Sequence, residues 1–228
     1  MKKDLLLNLA TGTLTVCALV VTGLTVRREL FSAPAEPKVR PVAEWRQYAA
    51  AGERMGAADA PVVITEFSDF QCPYCRVLAD RLKELRARYG GQVAVVYRHF
   101  PLPIHEHAVD AARASECAAA QGRFEAFHDA LYAGQDDIGK VPWTRYAAEA
   151  QVPDTAAFAR CAADTRPLPS LARDREAGNR LKVKGTPTFL LNGLRMEGVP
   201  PADTLDAYVR RVLAARTGAS MPVSVSAR

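Results

Sequence analysis

Apolar residues along this chain fall into runs of different period. The first, Leu5 to Val26, is 22 residues without a charge, bracketed by Lys2-Lys3 and Arg27-Arg28. About 20 apolar residues span a bilayer as a helix, so residues 1–31 are expected to be a cytoplasmic tip and one transmembrane anchor. A cleaved signal peptide competes with this reading, but its apolar core is usually shorter, about 7–15 residues. The small residues Ala33-Pro34-Ala35 are also separated from the core by Arg27-Arg28-Glu29. Residues 32–51 hold three prolines and little periodicity, and are expected to be a spacer, with a helical turn within Val42 to Ala51.

From there the periods alternate. Arg54-Met55-Gly56 fits a short edge strand, and Val62 to Phe67 is β-branched and suited to a strand buried on both faces. Ser68 to Gln71 makes a turn, after which Cys75, Leu78, Leu82, Leu85 and Tyr89 repeat at steps of three and four, one face of a helix. Gly90-Gly91 ends it, and Val93 to Tyr97 alternates as a second strand. Strand, helix and strand in this order predict a βαβ unit with parallel strands and a right-handed crossover.

Residues 106 to 182 read as helical almost throughout, with segments at Val109 to Ala120, Phe124 to Tyr132, Trp143 to Ala150, a helix capped by Asp154, and Leu171 to Val183. They form a helical insertion in an α/β domain. Gly185 to Leu191 begins a strand, Asn192-Gly193 is a hairpin turn of the primed type, Leu194 to Gly198 its antiparallel partner, and Asp203 to Leu213 a closing amphipathic helix. The domain is expected over residues 52–214, with 215–228 a disordered tail. Pro187 opens a strand between two threonines, where a cis peptide bond is expected.

Candidate chemistry sits at the start of the first long helix, Cys72-Pro73-Tyr74-Cys75. A thiol there faces unpaired backbone N–H groups and the positive end of the helix dipole. Both favour the anion, so Cys72 is expected to be acidic and nucleophilic, with Cys75 near enough to close a disulfide with it. Two other readings stand beside this one: a zinc half-site, which needs a second matching pair, and two unrelated core thiols. Glu66, inside the apolar strand, is expected to be buried with a raised pKa, placed to exchange a proton with Cys75; the alternative is a solvent-facing side chain on an edge. Asp69 is expected to shape the turn.

Composition changes the picture little. The net charge of the 228 residues is +5, and basic residues alternate with acidic ones along helices. That pattern is a solvated surface and speaks against a nucleic-acid partner. His99, His105 and His107 share one loop without a helical i, i+4 pair, so no metal is expected there. Of five cysteines, Cys17 lies in the apolar run, and Cys117 and Cys161 lie one per helix in the insertion. In an oxidising compartment that pair forms a structural disulfide; the alternative is two free buried thiols.

The complete order resembles the thioredoxin fold, and within it the DsbA-like thiol:disulfide oxidoreductases that carry an inserted helical domain. The resemblance rests on Asp69 to Cys75, on Glu66, on Tyr97-Arg98-His99-Phe100-Pro101-Leu102, on the insertion with Cys117 and Cys161, and on Gly185-Thr186-Pro187-Thr188-Phe189. It implies an α/β fold with a central mixed β-sheet flanked by helices. Cys72 would be the exposed nucleophile and Cys75 the buried resolving cysteine. Pro73, Tyr74, Thr186 and a cis Pro187 would contact an extended substrate. No cofactor is implied beyond the Cys72–Cys75 pair. The implied partners are exported proteins with free thiols or unfolded segments, and a membrane quinone-linked disulfide-generating partner. The domain would then face the periplasmic or extracellular side. Strong oxidants of this family have Pro-His between the cysteines where this chain has Pro73-Tyr74, and isomerases often carry a threonine before the cis-proline, as Thr186 here. A reductase or isomerase fed by a membrane electron donor is therefore the alternative to an oxidase, and a tethered binding module with idle cysteines is a third reading.

Overall fold

The computed structural model describes residues 14–15, 17–25, 27 and 39–217. Residues 1–36 and 37–228 are separate compact units. In the first unit the described residues are helical. Half of the expected anchor over Leu5 to Val26 lies outside the described residues, and among these no helix is long and apolar enough to cross a membrane. Of the expected tail, 215–228, residues 215–217 continue the last helix, and the rest lies outside the described residues.

The second unit begins with a short strand, β1 (Arg40–Pro41), and a single helical turn, α1 (Arg46–Ala49), both inside the stretch expected to be a spacer. The described part of this stretch, residues 39–51, belongs to the domain. β1 pairs antiparallel with the last strand of the sheet, and Tyr48 of α1 is buried edge-on against Phe67, ring centroids 6.4 Å apart. No periodic pattern announces a two-residue strand; it exists because the sheet edge beside it offers partners.

There follow β2 (Glu53–Met55), β3 (Val62–Ser68), α2 (Pro73–Tyr89) and β4 (Val93–His99). β3 and β4 pair in parallel in the register Val62 with Val93 through Ser68 with His99. All seven residues of β4 are buried, as strands covered on both faces should be. The insertion is α3 (Ala108–Ala119), α4 (Phe124–Ala133), a 3₁₀ turn at Gln135–Asp137, α5 (Trp143–Glu149), α6 (Thr155–Ala162) and α7 (Pro169–Arg180). Asp154 caps α6 by accepting a hydrogen bond from the Ala157 N–H at 2.8 Å. β5 (Thr188–Leu191), β6 (Leu194–Glu197) and α8 (Ala202–Thr217) close the domain. The sheet is mixed and six-stranded, in the order β1-β6-β5-β3-β4-β2.

The β5–β6 turn uses left-handed backbone at both central residues, φ 43° at Asn192 and 91° at Gly193, as a primed turn requires. A side chain at Gly193 would collide with the ring of Trp45. Asn192 also ties the hairpin to β3: its Oδ1 accepts from the Val63 N–H at 2.7 Å and its Nδ2 donates to the Pro61 carbonyl at 2.9 Å.

Cys117 on α3 and Cys161 on α6 form a disulfide with Cα atoms 5.8 Å apart, closing a 44-residue separation. A loop of that length restricts the unfolded chain considerably. Cys161→Ala should therefore lower stability by about 3 kcal/mol in urea denaturation; a loss under about 0.5 kcal/mol would mean that the cross-link does not constrain the chain.

Candidate active site

The site is built where β3 hands the chain to α2. β3 is the central strand, paired to β4 on one side and β5 on the other. Its last residue and the turn that follows are fixed by long-range contacts. The hydroxyls of Ser68 and Tyr132 lie 3.0 Å apart. Phe70 stacks on Tyr97 at 4.9 Å, inside a cluster that includes His99, Tyr132 and His128. Asp69 shapes the turn as expected, with Oδ1 accepting from the Gln71 N–H at 2.8 Å. Its other oxygen reaches further, accepting from the Leu102 N–H at 2.7 Å and meeting the His105 Nδ1 at 2.7 Å. Gln71 Oε1 accepts from the His107 N–H at 2.6 Å. The loop that holds the histidines is thus a brace for the active-site turn. A second brace comes from the insertion, where Gln135 Nε2 donates to the carbonyls of Phe70 (2.7 Å) and Cys72 (3.0 Å).

Cys72 is the N-cap of α2, with extended backbone (φ −77°, ψ 120°), and Pro73 occupies the first helical position, where its missing N–H costs nothing. Cys72 is less open than the resemblance implies: the residue is 4% exposed and Cys75 is 0% exposed. The cover comes from the strand-opening loop across the gap. The Cys72 thiol donates to the Thr186 carbonyl at 3.4 Å, and the Thr186-Pro187 bond is cis. Pro73 and Tyr74 stand exposed beside it, Tyr74 at 67%. The structure therefore brings Cys72, Cys75, Pro73, Tyr74, Thr186 and Pro187 to one place.

The two thiols are driven apart in acidity. The hydrogen bond from the Cys75 thiol lowers Cys72 most; burial raises it, but the Thr186 side chain and the N–H groups of Cys75 and Tyr74 add to the lowering, and the result is about 5. Cys75 is pushed well above the ordinary thiol range, first by burial and then by its hydrogen bond to Cys72 and the charge there. At neutral pH this is a thiolate held by a neighbouring thiol. Iodoacetamide alkylation of Cys72 in the reduced chain should titrate with a midpoint near about 5; a midpoint above about 8 would mean an ordinary thiol.

Glu66 is buried at 1% exposure in the central strand, not on an edge, and neither carboxyl oxygen has a hydrogen-bond partner. Burial alone raises its pKa to about 8. It lies under the face of α2 that carries Ala79 and Leu82, one turn and two turns beyond Cys75. A carboxyl that is neutral at pH 7 and close to its own midpoint is suited to giving and taking a proton.

Sequence reasoning missed Gln135 and Tyr132 because each acts on the turn from a distant segment. Arg98 stands out in the sequence only as part of a motif. It is 2% exposed, paired through Nε with Asp174 Oδ1 at 2.6 Å, and donates to the carbonyls of Tyr48 and Ala51. It fastens the N-terminal segment and α7 to β4. Among the described residues no group of three or more His, Cys, Asp or Glu side chains is arranged to hold a metal.

A family model described as thioredoxin matches residues 49–211. The chain belongs to the thioredoxin family. Among solved relatives of this family, a thioredoxin-like oxidoreductase from Silicibacter pomeroyi DSS-3 is 27% identical with a TM-score of 0.64, over 77% of this chain and 99% of that one. Pseudomonas aeruginosa DsbA2 is 27% identical with a TM-score of 0.58, over 70% of this chain and 92% of that one. The structural neighbours are thus DsbA-like thiol-disulfide oxidoreductases. A Na(+)/H(+) antiporter, NhaA 3 of Salinispora tropica, is 39% identical over 160 residues, 70% of this chain but 24% of that protein. This thioredoxin-family chain spans about a quarter of the length of the curated relatives it matches.

Proposed function

We propose that the chain is an extracytoplasmic protein disulfide oxidase, introducing disulfides into exported proteins by exchange at Cys72–Cys75. The observation that carries this is the acidity of Cys72, held at the tip of α2 with the Cys75 thiol donating to it. A stabilised thiolate favours the reduced form of the pair, and a pair that prefers to be reduced is a strong oxidant. In the reaction a substrate thiolate attacks the Cys72 sulfur of the closed disulfide, and the Cys72–Cys75 bond breaks as the mixed disulfide forms. A second substrate thiolate then attacks the substrate sulfur. The substrate leaves oxidised and Cys72 leaves as the thiolate.

Apolar side chains stand exposed on segments that converge on the site: Tyr74 (67%) and Val77 (40%) on α2, and Ile104 (82%) in the loop held by Asp69 and Gln71. They suit an unfolded peptide, with Thr186 and Pro187 offering an extended edge. The oxidant restored to the pair would come from a membrane quinone-linked partner. The apolar segment Leu5 to Val26 would tether the domain to that membrane, and the presence of a like domain in longer chains named as antiporters supports a membrane setting.

The reverse flow, reduction or isomerisation fed by a membrane electron donor, is favoured by two features: Tyr74 supplies no charge to the thiolate beyond its backbone N–H, and a threonine, Thr186, precedes the cis Pro187. Redox equilibration of the full chain with glutathione separates the two. A potential above about −200 mV is expected, and one below about −250 mV makes the chain a reductant.

A further inference from the structure

Glu66 is not the only buried polar group under α2 without a partner. His128 on α4 is 4% exposed, and its Nε2 has no hydrogen-bond partner either. Both side chains line one small cavity, together with Ala79, Lys83 and Asp129. The cavity leaves about 10 Å³ of room for a water's centre, enough for about one molecule when polar groups face it. Glu66 and His128 both line it, so a water there lies beside a carboxyl and an imidazole.

The far side of His128 leads outward. Its Nδ1 lies 3.1 Å from Asp129 Oδ1, and Asp129 Oδ2 lies 2.6 Å from Lys83 Nζ. The side chains of Asp129 and Lys83 are 34% and 66% exposed. Burial raises Asp129, but hydrogen bonds from His128 and Lys83 outweigh it and hold the carboxyl at about 2. An ionised carboxylate fixes the proton on Nδ1 and leaves Nε2 as the acceptor facing the cavity. Tyr132 and Tyr97 pack edge-on against the ring at 4.9 and 5.4 Å and hold its orientation. The titratable and charged groups around His128 are therefore Glu66 on β3, Lys83 and Arg86 on α2, Tyr97 on β4, and Asp129 and Tyr132 on α4.

We propose that His128 is a proton relay, passing protons between Glu66 and solvent through one water in this cavity each time Cys75 changes protonation state. The inference rests on the oxidoreductase reading and adds a residue to it. When Cys75 resolves a mixed disulfide, Glu66, neutral at pH 7, first gives its proton through the water to Nε2, and the carboxylate so formed takes the Cys75 thiol proton. The Cys75 sulfur then bonds to the Cys72 sulfur, and the bond to the other partner breaks, releasing that partner as a thiolate. The imidazolium, held against Asp129, then releases one proton to solvent and Glu66 is left neutral as before. In the opposite direction Cys75 leaves as a thiolate, takes a proton from Glu66, and the route runs inward.

The reduced full chain is mixed with excess oxidised glutathione at pH 7, and acid-quenched peptide mass spectrometry separates formation of the Cys72 mixed disulfide from its resolution by Cys75. His128→Gln should slow resolution by about tenfold or more, the lower range of what a positioned proton donor or acceptor contributes. Formation at Cys72, which needs no relay, should stay within about twofold. In a Glu66→Gln background His128→Gln should add nothing, because the route is already cut. Equal resolution rates, or the same fold loss in both backgrounds, overturn the proposal. A readout on the unmodified chain stands beside the variant should His128→Gln not fold. The ¹⁵N chemical shift of His128 Nε2 at pH 7 should differ between the oxidised and reduced chains, and identical shifts would equally overturn it. An unmodified chain that forms no mixed disulfide at Cys72 sinks the oxidoreductase reading and the relay with it. One that exchanges normally while His128→Gln resolves equally fast sinks the relay alone.

Discussion

Cys72→Ser should abolish disulfide exchange, a loss of at least about a thousandfold against the unmodified chain. A serine hydroxyl at the tip of α2 meets the same N–H groups but stays protonated, so the anion that the site is built to hold never forms. Cys75 does not substitute for it. It is 0% exposed and its acidity is pushed the other way by burial. Cys75→Ser should behave differently: the Cys72 thiolate forms mixed disulfides that cannot be resolved from within, and these accumulate as a covalent adduct. Insulin reduction and refolding of a reduced, denatured substrate measure the first effect, and adduct mass measures the second. If Cys72→Ser retains exchange within about tenfold, the thiolate at the helix tip is not the reacting atom.

Much of this site is legible in the sequence because its parts are local. Cys72, Pro73 and Cys75 lie within one helical turn, so a thiol at the helix tip, a proline in the first turn and a second thiol on the apolar face follow from spacing, while the role of Cys75 as resolving partner comes from the family resemblance. The register of Asn192 and Gly193 likewise dictates its own turn. The cis bond before Pro187 and the disulfide between Cys117 and Cys161 were also expected and are present. The illegible parts are contacts between segments whose separation carries no period. Gln135 lies 63 residues from the Cys72 carbonyl that it binds. A glutamine after a helix has no signature that distinguishes a clamp from a solvated side chain. The burial of Cys72 is of this kind as well, since its cover is supplied by the Thr186 loop 114 residues away. β1 escapes for the opposite reason: two residues are too few to show a period, and only the exposed edge of β6 makes them a strand. The Arg98–Asp174 pair was missed because a charged residue at the end of an apolar strand usually reads as the point where the strand reaches water. Here α7 brings a carboxylate to meet it.

Glu66→Gln tests the buried carboxyl from both sides, stability and rate. In the oxidised chain, where Cys72 and Cys75 do not titrate, the ordinary carboxyl value is 4.5 and the folded value is about 8. The folded state therefore holds the proton more tightly than the unfolded one. Between these values the unfolded chain binds fewer protons, so stability falls as pH rises. The penalty is absent below about pH 4, grows at about 1.4 kcal/mol per pH unit, and reaches about 4 kcal/mol near pH 8. The amide in the variant never ionises, so the variant should gain that amount on the unmodified chain between pH 4 and pH 8 in paired urea titrations. A difference that stays flat over this range would place Glu66 in contact with water or with an unseen positive charge. The rate should move the opposite way. An amide accepts no proton from Cys75, so resolution at pH 7 should slow by about a hundredfold, while alkylation of Cys72, whose acidity is set by Cys75, Thr186 and the helix tip, should be unchanged. A variant more stable at alkaline pH and slower only in the Cys75 step would mean that the unpaired carboxyl is kept under α2 for the proton it carries, at a cost in stability that the apolar neighbours around it would otherwise have spared.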